Sequence, residues 1–114
     1  MTAVASVAID RYTNLIEHTG AKLTTVDDWF EVPAHSSSYS MAASVTGSAN
    51  FKLAIEASFN SNWFTLESAK TINSAGAYVY FYNGKPAAKI RLRLSEISSG
   101  TPDITPYIAV AYHG

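Results

Sequence analysis

The chain has 114 residues, which suits one domain with a modest core, and its 47% hydrophobic and 15% charged residues exclude a disordered segment. A net charge of −1, with no basic run beyond KIRLR at 89–93, leaves little for phosphate neutralisation, so nucleic acid is not an expected partner. No cysteine is present, which excludes disulfides and thiolate metal sites.

No apolar run approaches the roughly 20 residues of a membrane helix. The start MTAVASVAIDRYTNL lacks the basic and then apolar regions of a signal peptide. The expectation is therefore a soluble chain with no membrane partner. Its low charge further suggests that part of the surface is covered in an assembly.

In chain order, AVASVAI at 3–9 reads as a strand or an extended arm. In RYTNLIEH at 11–18, Tyr12, Leu15 and Ile16 have helix-like spacing, but no strong cap accompanies them, so strand or arm is preferred. Residues 1–25 are set apart on this basis as an N-terminal arm or edge strand, and residues 26–114 as a β-sandwich domain. WFEV at 29–32 is short and ends at Pro33, which cannot donate to a ladder and favours an edge or a strand end.

Alternation with period 2 then dominates. Tyr39, Met41, Ala43 and Val45 form one set. Phe51, Leu53, Ile55, Ala57 and Phe59 form another, opposed by Lys52, Glu56 and Ser58. Over 77–82, Ala77, Val79 and Phe81 are read as inward, with Tyr78, Tyr80 and Tyr82 outward. Over 89–95, Ile90, Leu92 and Leu94 point in while Lys89, Arg91, Arg93 and Ser95 point out, and near the end Ile108 and Val110 oppose Tyr107, Ala109 and Ala111. Turn signals separate the runs, among them Asn60-Ser61-Asn62, Asn83-Gly84-Lys85-Pro86 and Ser98-Ser99-Gly100-Thr101-Pro102. Short strands at this spacing predict an all-β, single-domain antiparallel sandwich, jelly-roll-like, rather than an α/β fold.

Chemistry-bearing clusters are sparse. His18, His35 and His113 are unpaired at ligand spacing, and Asp27-Asp28 with Glu31 matches no cation loop. Ser36-Ser37-Ser38 lies in no nucleophile elbow, and no glycine-rich phosphate loop occurs. No catalytic residue, metal site or cofactor is expected, and the chain is not read as an enzyme. What remains is aromatic. If the strands at 77–82 and 89–95 pair as a hairpin, Tyr78, Tyr80 and Tyr82 join Arg91 and Arg93 in one mixed patch suited to an interface. The competing reading places that face inside the sandwich, at the cost of burying two arginines with no evident carboxylate partner.

Val45-Thr46-Gly47, Ile55-Glu56-Ala57-Ser58, Asn62-Trp63-Phe64-Thr65-Leu66, Lys89-Ile90-Arg91-Leu92-Arg93 and Ser99-Gly100-Thr101 follow one another in an order that resembles small β-sandwich virion proteins of tailed bacteriophages. The likeness spans residues 39–112. Asn60-Ser61 stands where that pattern has Asp-Gly, which implies a different turn. The resemblance implies a capsid decoration (cement) protein on the virion surface, made in the host cytoplasm. Its implied partners are the major capsid protein and further copies of itself, a homotrimer being favoured. Two other readings stay open: another virion part, such as a head fibre, neck or tail component, and a carbohydrate-binding module, which Trp63 and the tyrosines would also suit. Trp63 and Leu66 are expected to pack at the end of the sandwich after the Asn60-Ser61-Asn62 corner.

Overall fold

The computed structural model describes the backbone of residues 3–4, 7–12, 15–34 and 38–111, and the side chains of residues 16–34 and 38–111. Ten strands follow one another: β1 (Ala3–Val4), β2 (Val7–Tyr12), β3 (Leu15–Thr19), β4 (Trp29–Pro33), β5 (Tyr39–Thr46), β6 (Ala49–Phe59), β7 (Asn62–Ile72), β8 (Gly76–Tyr82), β9 (Lys89–Gly100) and β10 (Asp103–Ala111). No helix occurs among the described residues.

The strands form two five-stranded sheets, ordered β1-β4-β9-β6-β7 and β2-β3-β10-β5-β8, antiparallel throughout except for the short β1–β4 pair. Without β1 and β2, the eight strands β3–β10 alternate between the sheets in the order of a jelly roll, as the alternation patterns predict. From β3 onward, only β6 and β7 are consecutive partners within one sheet. Every other connection from β3 onward crosses between sheets.

The period-2 sets meet between the sheets. Phe30 and Val32 of β4, Phe51, Leu53, Ile55 and Ala57 of β6, and Ile90, Leu92 and Leu94 of β9 face Tyr39, Met41, Ala43 and Val45 of β5 and Ile104, Ile108 and Val110 of β10. Each of these larger aliphatic and aromatic side chains contributes about 1.5–3 kcal/mol on burial. Leu23 belongs to the same core and its N–H donates to the Ile104 carbonyl at 2.9 Å. The fold therefore has no break at residue 25, and β3 lies inside its sheet between β2 and β10. β1 and β2 are the outermost strands of the two sheets.

One predicted orientation is reversed. In β8, Tyr82 is buried and Tyr78 and Tyr80 are half-buried against the core, while Ala77, Val79 and Phe81 face solvent. Both alternating sets on this strand are apolar or aromatic, so hydrophobicity alone does not choose between them. The tyrosine set wins because its rings cover more core, although the Tyr82 hydroxyl is buried there without a hydrogen-bond partner among the described residues. Tyr82 packs on Tyr39 with ring centroids 5.7 Å apart, and the Tyr78 hydroxyl donates to the Ser74 carbonyl at 2.7 Å. Burial pushes the Tyr82 phenol up to about 12. The predicted hairpin is also absent: β8 pairs with β5 in one sheet, β9 with β6 and β4 in the other, and the residues between them cross over.

Two backbone positions carry the tight corners. Phe59 pairs with Asn62, so Asn60-Ser61 is a two-residue hairpin loop, with φ of 49° and 66°. Positive φ at both positions is the type I′ signature, the turn that Asp-Gly would also give; the substitution by Asn-Ser leaves the turn type unchanged. Gly100 has φ 78°, and a Cβ there would meet the Ser48 carbonyl oxygen at 2.5 Å.

Gly100→Ala is expected to lower stability by about 3 kcal/mol, because a left-handed backbone and a backbone clash act together. Ser61→Gly relieves a left-handed non-glycine residue and should raise stability by about 0.5–1 kcal/mol. Urea denaturation of the two variants beside the parent protein measures both.

Candidate functional site

The outer face of the first sheet carries a polar cluster that no single stretch of sequence announces. Arg91 and Arg93 project from β9 on the side away from the core, Trp29 and Glu31 from β4, Glu56 and Ser58 from β6, and Trp63 from β7. The ladder registers set them side by side: Arg91 lies across from both Glu31 and Glu56, Arg93 from Trp29, and Ser58 from both Trp63 and Lys89.

Glu56 sits at the centre. Its Oε1 accepts from Arg91 Nε at 2.8 Å and from Arg93 Nε at 3.0 Å, and its Oε2 accepts from Arg93 Nη2 at 3.2 Å. Arg93 Nη1 donates to Asp27 Oδ1 at 2.7 Å. Burial alone would raise the Glu56 carboxyl, which is only 8% exposed. The Arg93 and Arg91 hydrogen bonds, with the two positive charges, outweigh that and hold it below its ordinary value. The carboxylate partner missing from the sequence reading of Arg91 and Arg93 is therefore Glu56, supplied by the neighbouring strand.

Asp27 and Asp28 serve different ends from the turn before β4, where Asp27 has φ 73°. Asp27 pairs with Arg93, whereas Asp28 is buried and its Oδ2 accepts from the Thr24 and Thr25 N–H groups at 3.1 and 2.9 Å, closing the turn before β4.

The guanidinium of Arg91 also lies over two tryptophan rings, 4.0 Å from the centroid of Trp63 and 5.3 Å from that of Trp29. Trp29 Nε1 donates to Glu31 Oε1 at 2.8 Å, and Glu31 Oε2 faces Lys89 Nζ at 3.5 Å. Beside this stack, Glu31, Ser58, Ser61, Trp63, Ala88 and Lys89 line a cleft of about 230 Å³. Trp63 is therefore not an end-of-sandwich core residue. It is a half-exposed ring on the outer face, held by a cation–π contact. Leu66, on the same strand, does pack against the core.

The outer face of the second sheet has the opposite character. Its floor is Ser40, Ala42 and Ser44 of β5 with Thr105, Ala109 and Ala111 of β10. Val79, Phe81 and Tyr107 stand on it 48%, 79% and 37% exposed. Among the described residues, the charges near this face are Glu17 of β3, which lies across from Ala109, and the Lys22–Asp103 pair. A shallow depression of about 330 Å³ runs past Glu17, Ser40, Ala42, Tyr107 and Ala109.

The predicted Tyr/Arg patch is consequently divided. Tyr78, Tyr80 and Tyr82 line the inner side of an edge strand of the second sheet, where Lys70 of β7 reaches over the Tyr80 ring at 5.2 Å. Arg91 and Arg93 are on the outer face of the first sheet. Trp29, Glu56, Ser58 and Lys89 join Arg91 in the cluster yet were given no site role from sequence, and Glu31 was weighed only with Asp27-Asp28 as a cation ligand. The available signal was the outward alternation of Glu56 and Ser58, but the partners reach them only through ladder registers. No three His, Asp or Glu side chains gather as a metal would require among the described residues.

Glu56→Gln should cost about 3 kcal/mol at pH 7, because two largely buried guanidinium groups lose their shared carboxylate. The folded-state carboxyl is depressed, so its contribution is full above its ordinary value of 4.5 and fades as pH falls through the folded value. The gap between parent and variant should therefore narrow in urea titrations repeated at pH 3.

No family model matches the chain, and no curated protein matches it. Among solved structures, one described as "CBM4 structure and function" is similar at 15% identity over 90% of this chain and 73% of that chain, with a TM-score of 0.37. So loose a likeness carries no argument about activity. The chain is an all-β jelly-roll sandwich with two chemically unlike outer faces.

Proposed function

We propose that this chain is a non-enzymatic adhesion module of a virus particle, a decoration protein that docks on the shell and bridges major capsid subunits. The observation that carries the reading is the outer face of the second sheet. It is floored by small residues and crowned by Val79, Phe81 and Tyr107, with charge among the described residues limited to Glu17 and the Lys22–Asp103 pair. Solvated sheet faces ordinarily alternate towards polar and charged residues, and a broad apolar patch rimmed by charge is the surface that protein partners cover. The chain's low charge fraction, 15%, accords with a surface partly covered in an assembly.

The role itself follows from the resemblance to tailed-phage virion proteins at Val45-Thr46-Gly47, Asn62–Leu66 and Ser99-Gly100-Thr101. A rigid sandwich suits it, since docking then orders few side chains, and many copies on one shell multiply a weak single contact. Oligomerisation as a trimer would use the same face or the β1 and β2 edges.

Phe81→Asp tests the face, because a side chain 79% exposed is dispensable for folding. Shells of the encoding virus, stripped of this protein and titrated with it, should bind the parent chain and bind the variant at least tenfold more weakly. The melting temperatures should agree. Equal occupancy by parent and variant, or no binding of the parent chain, would overturn the proposal.

A further inference from the structure

We infer that the cleft beside Trp63, on the face opposite the proposed docking surface, is a binding site for a neutral sugar residue. Four observations converge on it. The first is shape: a cleft of about 230 Å³ holds one sugar ring rather than a long chain, being smaller than the roughly 300–1,000 Å³ of drug-sized sites. The second is the wall, a half-exposed tryptophan, whose apolar ring accepts the C–H face of a pyranose while its rim remains polar.

The third is the supply of uncommitted hydrogen-bonding groups. Ser58 is only 5% exposed and lines the cleft, yet its hydroxyl has no hydrogen-bond partner among the described residues. The same holds for the Trp63 indole N–H and the Ser61 hydroxyl. The Ser58 oxygen is not enclosed by protein, so at the cleft it is open to a partner that arrives from outside. The fourth is charge. Glu31 and Lys89 offset one another across the cleft, which leaves donors and acceptors in a neutral setting. That combination matches the hydroxyl pattern of a hexose or N-acetylhexosamine better than a phosphate or a carboxylate.

The site is also held in advance. Trp63 directly follows the two-residue Asn60-Ser61 hairpin loop, and its ring rests on Arg91, which Glu56 anchors. Little side-chain freedom is lost on binding at such a wall. The inference does not depend on shell docking, which involves the opposite face.

A printed array of hexose, N-acetylhexosamine and uronic acid glycans, followed by calorimetry with the methyl glycosides it selects, tests the site. The parent chain should retain neutral glycans. Ser58→Ala and Trp63→Phe should each weaken binding at least tenfold with melting temperatures within a few degrees of the parent. Phe81→Asp should bind sugar as the parent does, even where it fails on shells, so failure at one face is distinguishable from failure at the other. A blank array, selection of uronic acids alone, or equal binding by Ser58→Ala and Trp63→Phe would each overturn the inference.

Discussion

A single carboxylate, Glu56, organises one whole face of this sandwich. It projects from β6, the strand between β7 and β9, and accepts from two arginines at once. Without it, Arg91 and Arg93 would be largely buried cations with Asp27 as their remaining close acid. With it, both guanidinium groups are held against one carboxylate on the outer face. Arg91 then becomes a shelf against which Trp63 and Trp29 rest. A buried ion pair is weak evidence of stability in itself, but it fixes geometry well, because each partner is confined by several directional bonds. The orientation of Trp63 and the form of the adjoining cleft follow from it.

The jelly-roll order gives this arrangement its second consequence. Consecutive strands alternate between sheets, so residues a short distance apart in the chain end on opposite sides of the molecule. Phe81 of β8 and Arg91 of β9 are ten positions apart, yet one stands on the apolar face and the other in the polar cluster. A module built this way presents two surfaces of unlike chemistry facing opposite directions, one suited to protein contact and one to a small polar ligand. Fold alone does not choose among functions, since jelly rolls serve in shells and lectins alike. The chemistry of the faces has to make that choice.

Strands with one apolar and one polar set were legible residue by residue. Ile90, Leu92 and Leu94 against Arg91 and Arg93 left no doubt, and the structure buries the first set completely. The same held for Phe51, Leu53, Ile55 and Ala57 and for Met41, Ala43 and Val45. Strand β8 was not legible, because GAYVYFY offers two sets of similar hydrophobicity and a one-residue change of phase exchanges them. Trp63 was misplaced for a related reason. A tryptophan after a hairpin usually reads as core, and only the ladder position opposite Ser58 puts it on the outer side.

What the sequence determined by itself was the all-β class, the strand positions, the sites of the turns and the composition of the core. Each of these depends on neighbours within a few residues, through alternation and through the backbone freedom of Asn, Ser and Gly. What only the tertiary structure decided was which strands pair. That choice placed Glu56 between Arg91 and Arg93, divided the tyrosines from the arginines, and turned Val79 and Phe81 outward. Pairing partners here lie up to 96 positions apart along the chain, as Leu15 and Ala111 do, and no local pattern encodes such distances. They are settled by which combination of faces buries the apolar sets and leaves every buried charge with a partner.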